Sequence, residues 1–153
     1  MAKGLGGGFP IGAFWVREKF ATTLGPGMHA STFGGTPLGC AAALRVLDVI
    51  QRDDLAANVR RIGDFLMREL KELKEQFQTI VREVRGVGLM IGIEFDPKLK
   101  AADIVNRLHE KNLLTIPAGN SVVRLLPPLN LSEREAQAGL HALRVVIAEL
   151  AKS

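Results

Sequence analysis

Thr79-Ile80-Val81-Arg82-Glu83-Val84-Arg85-Gly86-Val87-Gly88-Leu89-Met90-Ile91-Gly92-Ile93-Glu94-Phe95 is the stretch whose reading decides the fold class. Its apolar residues recur with a period near two, the mark of half-buried strands. Strands are expected near 79–85 and 89–95, joined by a turn or bulge at Gly86-Val87-Gly88. Asp96-Pro97 then opens a helix near 98–111 with Ile104, Val105 and Leu108 on one side. Two further strands are expected near 113–116 and 121–126 around Ala118-Gly119-Asn120, stopped by Pro127-Pro128. Ser132-Glu133-Arg134-Glu135 reads as a capping box, and the helix after it turns Leu140, Leu143, Val146, Ile147 and Leu150 inward. Strand, strand, helix, strand, strand, helix predicts an α/β body, a small sheet covered by helices on one face.

Upstream, Leu55, Val59, Ile62, Leu66, Leu70, Leu73 and Phe77 recur at three- and four-residue steps, so a long helix is expected after Asp53 or Asp54. Its other face is charged and reads as solvated, with Asp64 and Arg68 spaced to pair at i,i+4. A helix from Pro37 to about Gln51 is expected behind Thr36 as its cap. The first 36 residues close less easily. Ala13-Phe14-Trp15-Val16 reads as a short buried strand between a glycine-rich opening and a loop from about Ala21 to Thr36. One strand and two loops cannot make a layer of their own, and a loop of that length points to function or to a missing partner.

Composition narrows the class. The chain has 153 residues, 47% hydrophobic and 24% charged, a net charge of +4 and a mean hydropathy of +0.15. These are the proportions of a globular chain, not of a disordered one. Cys40 is the only cysteine, which excludes a disulfide scaffold. No apolar run reaches the roughly 20 residues that cross a bilayer. Glycine and proline break up the opening, so no signal peptide is expected, and a cytoplasmic location follows. The charges alternate in sign and no tyrosine is present, so neither a nucleic-acid surface nor a membrane contact is expected. His29, His109 and His141 lack metal-ligand spacing, and no metal site is expected. Gly-x-Ser-x-Gly, Gly-Lys-Ser/Thr and Gly-x-Gly-x-x-Gly are all absent. Asn130-Leu131-Ser132 matches a glycosylation sequon without the secretory context that would give it meaning.

Three segments remain that bear on chemistry. Lys3 precedes Gly4-Leu5-Gly6-Gly7-Gly8, a sequence that permits close approach of a cofactor. A lysine attacks a carbonyl only as the free amine, so its pKa must fall from about 10.4 through desolvation or a neighbouring cation. The same residue also reads as a solvated lysine near a loose start. Ser31-Thr32 before Gly34-Gly35 can offer hydroxyl and backbone N–H donors to a phosphate, or can simply be a capped loop. Arg124, among the apolar residues of Val122-Val123-Arg124-Leu125-Leu126, matches a carboxylate bidentately or faces solvent from its strand.

Four ordered segments, covering nearly the whole chain, resemble the C-terminal portion of the class III aminotransferases of fold type I, and in particular their acetylornithine branch. These are Ala2–Ala13 around Lys3, His29–Leu38 around Ser31-Thr32, Arg85–Gly92, and Leu114–Gly119 leading into Arg124–Leu129. Ala30 and Thr36 stand where the family usually has Gly and Asn.

The resemblance implies a C-terminal part of a fold type I pyridoxal-phosphate transferase: residues 1–42 as the end of the large domain and 43–153 as the small α/β domain. It implies pyridoxal 5′-phosphate as cofactor, with Lys3 both its covalent anchor and the acid/base that shuttles the substrate proton. Ser31 and Thr32 would bind the cofactor phosphate, Thr32 that of the neighbouring subunit of a homodimer. Arg124 would hold the α-carboxylate of glutamate or 2-oxoglutarate. The parent reaction would move an amino group between N-acetylornithine and 2-oxoglutarate in arginine biosynthesis; ornithine or 4-aminobutyrate are alternative donors. The family's pyridine-nitrogen acid, main phosphate turn and ring-stacking aromatic lie upstream of what is seen here. The chain is therefore expected to be a portion of a longer subunit, inactive and prone to aggregate alone. The alternative is a non-catalytic α/β module that pairs through its exposed apolar surface.

Overall fold

The leucine stripe read along 55–77 forms the spine of the core. In a computed structural model that describes residues 1–152, the chain divides into two units, Met1–Asp54 and a second beginning at Leu55.

The first unit holds helix α1, Pro37–Arg52, and two short 3₁₀ segments at Lys3–Gly6 and Glu18–Thr23. Pro37 opens α1 as expected, but the Thr36 side chain makes no capping hydrogen bond. The strand expected at 13–16 is absent. Phe14 is 69% exposed and Trp15 80%. Ala13 instead exchanges hydrogen bonds with Met1: its N–H donates to the Met1 carbonyl at 2.8 Å and its carbonyl accepts from the terminal amine at 2.5 Å. A strand exists only through a neighbour's ladder, and among the described residues no strand pairs with 13–16 to supply one.

The second unit comprises α2 (Leu55–Gln76), β1 (Val81–Val87), β2 (Met90–Phe95), α3 (Ala101–Glu110), β3 (Ile116–Pro117), β4 (Val122–Leu125) and α4 (Glu133–Leu150). The four strands form one antiparallel sheet in the order β1-β2-β4-β3. The β1–β2 hairpin turns at Gly88-Leu89, two residues later than the sequence suggests. Gly88 has φ 57 in the first central position of the turn, where two-residue hairpins favour glycine. Pro117 sits in the short edge strand β3, where its missing N–H costs no ladder bond.

Alternation sorts the sheet's faces. Ile91, Ile93 and Phe95 of β2 and Val123 and Leu125 of β4 pack into one apolar cluster with Ile62, Leu66, Leu70 and Leu73 of α2, Ile104 and Leu108 of α3, and Leu143, Val146 and Ile147 of α4. Each of the largest of these gains about 1.5–3 kcal/mol from burial. The helices thus share one face of the sheet, and the residues between, Arg85, Met90, Gly92, Glu94, Val122 and Arg124, occupy the other. The capping box of α4 is present, with Ser132 Oγ accepting from Glu135 N–H at 3.2 Å and Ser132 N–H donating to Glu135 Oε2 at 2.9 Å. The i,i+4 pair expected between Asp64 and Arg68 is not formed. Arg68 bonds Glu69 at 3.2 Å and lies over the Phe65 ring.

Candidate active site

Lys3 lies in the first 3₁₀ turn with φ 55, a left-handed conformation uncommon for a residue with a side chain. Strain of that kind costs about 1–3 kcal/mol and collects at functional positions. The turn is held from behind. Gly6 is buried, and a Cβ there would stand 2.8 Å from Ile11 Cγ2. A Cβ on Gly7 would reach Val46 of α1 at 3.1 Å, and Gly39 of α1 sits under the Phe9 ring in the same way. Small residues therefore seat the lysine turn on α1 and leave its side chain exposed.

Ser31 and Thr32 open the turn that leads into α1, closed by a Gly34 N–H bond to the Ser31 carbonyl at 3.3 Å. Ser31 lines an open concavity of about 710 Å³ together with Ile11, Ala13, His29 and Phe33; Thr32 and Lys3 do not line it. Among the described residues no hydrogen bond or ion pair engages the side chains of Lys3, Ser31 or Thr32.

Arg124 occupies the middle of β4, on the sheet face away from the helices, opposite Gly92 of β2 and Ile116 of β3. It is half-buried, and its Nε is fully buried with no hydrogen-bond partner. A buried N–H left unpaired costs about 1–3 kcal/mol, so this one is suited to an incoming acceptor. Arg124 lines a cleft of about 540 Å³ with Arg85, Val87, Met90, Gly92 and Val122.

Arg85 borders the same cleft and was not singled out as a site residue from the sequence. Its Nη1 donates to Glu83 Oε2 and to Glu94 Oε2, both at 2.6 Å. The hydrogen bond that it donates to Glu94, then the charge of Glu83, raise its pKa above the usual guanidinium range. The signal was available: Glu83 and Arg85 in one strand, Gly92 and Glu94 in the next, fall on one face at a spacing of two.

The donor set can be tested against the cofactor that the sequence implies. An unengaged lysine Nζ suits an aldehyde carbon, and two unengaged hydroxyls suit a phosphate. The loop backbone also leaves room, since a Cβ on Gly4, Gly8 or Gly35 would meet nothing within 4 Å. The residues present fit the aldehyde and phosphate ends of pyridoxal phosphate.

Comparison with known proteins agrees. The profile of the family "Aminotransferase class-III" matches residues 1–147. The acetylornithine aminotransferase of Synechocystis is 46% identical over 151 residues, covering 97% of this chain and 35% of that protein. Among solved structures, the N-acetylornithine aminotransferase of Stenotrophomonas maltophilia is similar at 36% identity with a TM-score of 0.79, over 95% of this chain and 38% of that one. The ornithine δ-aminotransferase of Plasmodium falciparum is similar at 30% identity with a TM-score of 0.82, over 88% and 35%. The chain spans little more than a third of the length of these relatives. Their family uses pyridoxal phosphate as its cofactor. With 147 residues matched in order and the fold shared with solved members, this chain belongs to the class III aminotransferases.

Proposed function

We propose that the chain provides the C-terminal portion of an aminotransferase subunit that moves an amino group between N-acetylornithine and 2-oxoglutarate. The observation that carries this reading is the 46% identity to an acetylornithine aminotransferase along nearly the whole chain. Residues 1–42 belong in this reading to the end of the large domain and 43–153 to the small one. The setting is cytoplasmic arginine biosynthesis, in a homodimer whose two subunits share each cofactor site.

Pyridoxal phosphate, when bound, would supply an electron sink for charge developing at the carbon that bears the transferred amine, Cα of glutamate and Cδ of N-acetylornithine. Lys3 Nζ would anchor its aldehyde and take and return the proton of that carbon, which requires the neutral amine. The Ser31 and Thr32 hydroxyls donate to phosphate oxygens, Thr32 to the cofactor of the neighbouring subunit. Arg124 orients the α-carboxylate of glutamate or 2-oxoglutarate through two parallel N–H bonds, and its unpartnered buried Nε supports that role. The structural likeness to an ornithine aminotransferase supports a second reading in which unacylated ornithine is the donor.

The test is chemical. The chain is incubated with pyridoxal phosphate, reduced with borohydride, digested and mapped. The pyridoxyl group is expected on Lys3 and absent from a Lys3→Ala chain; a label elsewhere, or unchanged labelling of the variant, rejects the assignment.

A further inference from the structure

The edge strand β3 is short, and one side chain of α3 holds the residue that leads into it. His109 Nε2 lies 3.0 Å from the Thr115 carbonyl oxygen and 3.3 Å from the Thr115 amide nitrogen. The ring donates to the first or accepts from the second, so one bond stands in either tautomer. No other hydrogen bond engages the Thr115 backbone among the described residues. Alternation explains why. The Ala118 N–H donates to the Val122 carbonyl at 2.8 Å, so Ala118 and Ile116 turn their backbone groups toward β4 and Thr115 turns its own outward from the sheet edge. The Thr115 hydroxyl is buried without a partner and adds nothing to the hold. His109 is what secures this edge.

Beside that edge lies Arg124. It is directly opposed to Ile116 of β3 on one side and to Gly92 of β2 on the other. Opposed residues project on the same face, with Cβ atoms about 5 Å apart. Gly92 has no side chain to lay against the arginine, so of the two opposed residues only Ile116 shields it. Arg124 Nε is fully buried and unbonded. An N–H in that state is drawn toward water, and it stays dry only while the strand beside it stays in place. β3 has little of its own to keep it there: it is two residues long, and Pro117 brings no N–H.

We propose that His109 is a positioning residue for Arg124: by bonding the Thr115 backbone it keeps β3 in register, and through Ile116 it keeps the Arg124 Nε–H dry and ready for a carboxylate. The action runs from His109 through Thr115 and Ile116 to Arg124, and His109 itself does not touch the ligand. The proposal rests on Arg124 as the holder of the 2-oxoglutarate carboxylate and adds what holds Arg124.

The test compares the unaltered full chain with H109L, which makes no such bond, and with H109Q, whose amide can donate to the Thr115 carbonyl and accept from its N–H. Protein labelled with ¹⁵N gives two readouts. One is exchange of the Arg124 Nε–H with water; the other is the shift of that resonance during titration with glutarate, an analogue of 2-oxoglutarate. In H109L the exchange is expected to rise roughly tenfold and the glutarate affinity to fall about fivefold, while the Phe95 and Ile147 amides exchange as before. In H109Q both values stay within about twofold of the unaltered protein. Unchanged exchange or unchanged affinity in folded H109L overturns the proposal, as does an H109Q that fails as far as H109L. Faster exchange at Phe95 and Ile147 as well overturns it too, since the effect is then one of overall stability. H109A serves if H109L does not fold. If glutarate leaves Arg124 unmoved in every protein, the carboxylate role of Arg124 falls, and the exchange rates alone decide whether His109 positions it.

Discussion

Gly63 of α2 and Gly88 of the β1–β2 turn meet backbone to backbone: a Cβ on Gly63 would stand 2.6 Å from the Gly88 carbonyl oxygen and 2.9 Å from its Cα. The hairpin that carries Arg85 and Gly92 is thereby pressed directly onto the long helix. Gly63→Ala gains about 1 kcal/mol of helix propensity but forces that backbone contact apart. The expected result is a net loss of roughly 1–2 kcal/mol, read as a lower urea midpoint with an unchanged slope.

Leu70 is fully buried where α2 meets the sheet. Leu70→Ala leaves a cavity in the apolar cluster between α2 and the sheet, and should cost about 2–5 kcal/mol by denaturant titration. Leu47→Ala is the comparison. That side chain is 46% exposed, so its truncation should change the midpoint far less.

Two carboxyls tie stability to acid. The Lys98 N–H, which donates to Asp96 at 3.0 Å, and the Arg82 guanidinium hold Asp96 below its ordinary 3.8. The Ser132 hydroxyl and N–H hold Glu135 below 4.5. A folded-state pKa depressed in this way contributes stability above the unfolded value that is lost as pH falls through the folded one. The unaltered protein should therefore weaken as pH drops from about 5 to below 3. D96N/E135Q should be less stable at neutral pH and show a shallower decline over that window, measured by thermal melts across pH.

Arg124→Lys keeps the charge and loses the planar fork. Carboxylate affinity, followed by glutarate titration, is expected to fall roughly tenfold, while Arg124→Gln abolishes the response. A lysine variant that binds as well as arginine would show that point charge alone suffices.

Much of this architecture is local in origin and was legible as such. The period of two across 79–95, the leucine spacing of α2 and the capping box at Ser132 each arise within one or two turns of chain, and each formed within about two residues of where the pattern put it. The strand expected at 13–16 failed because apolar content is necessary for a strand and a partner is what completes it. The Asp64–Arg68 pair failed because Arg68 had a nearer carboxylate in Glu69 and an aromatic face in Phe65. Lys3, Ser31, Thr32 and Arg124 were singled out as candidates by motif, whereas the strain at Lys3 and the orphaned Nε of Arg124 are properties of the folded chain.

Periodicity and caps were enough to establish which segments are helix and strand, which faces are apolar, and that the body is α/β. They carry no information on strand order. The insertion of β4 between β2 and β3, and with it the row Arg85, Gly92, Arg124, depends on register between segments dozens of residues apart. Register is set by packing the whole inner face at once, since a slip of one residue would turn Ile91, Ile93 and Phe95 to solvent and Glu94 to the core. That collective constraint gives Arg85 its two glutamates and leaves Arg124 without one.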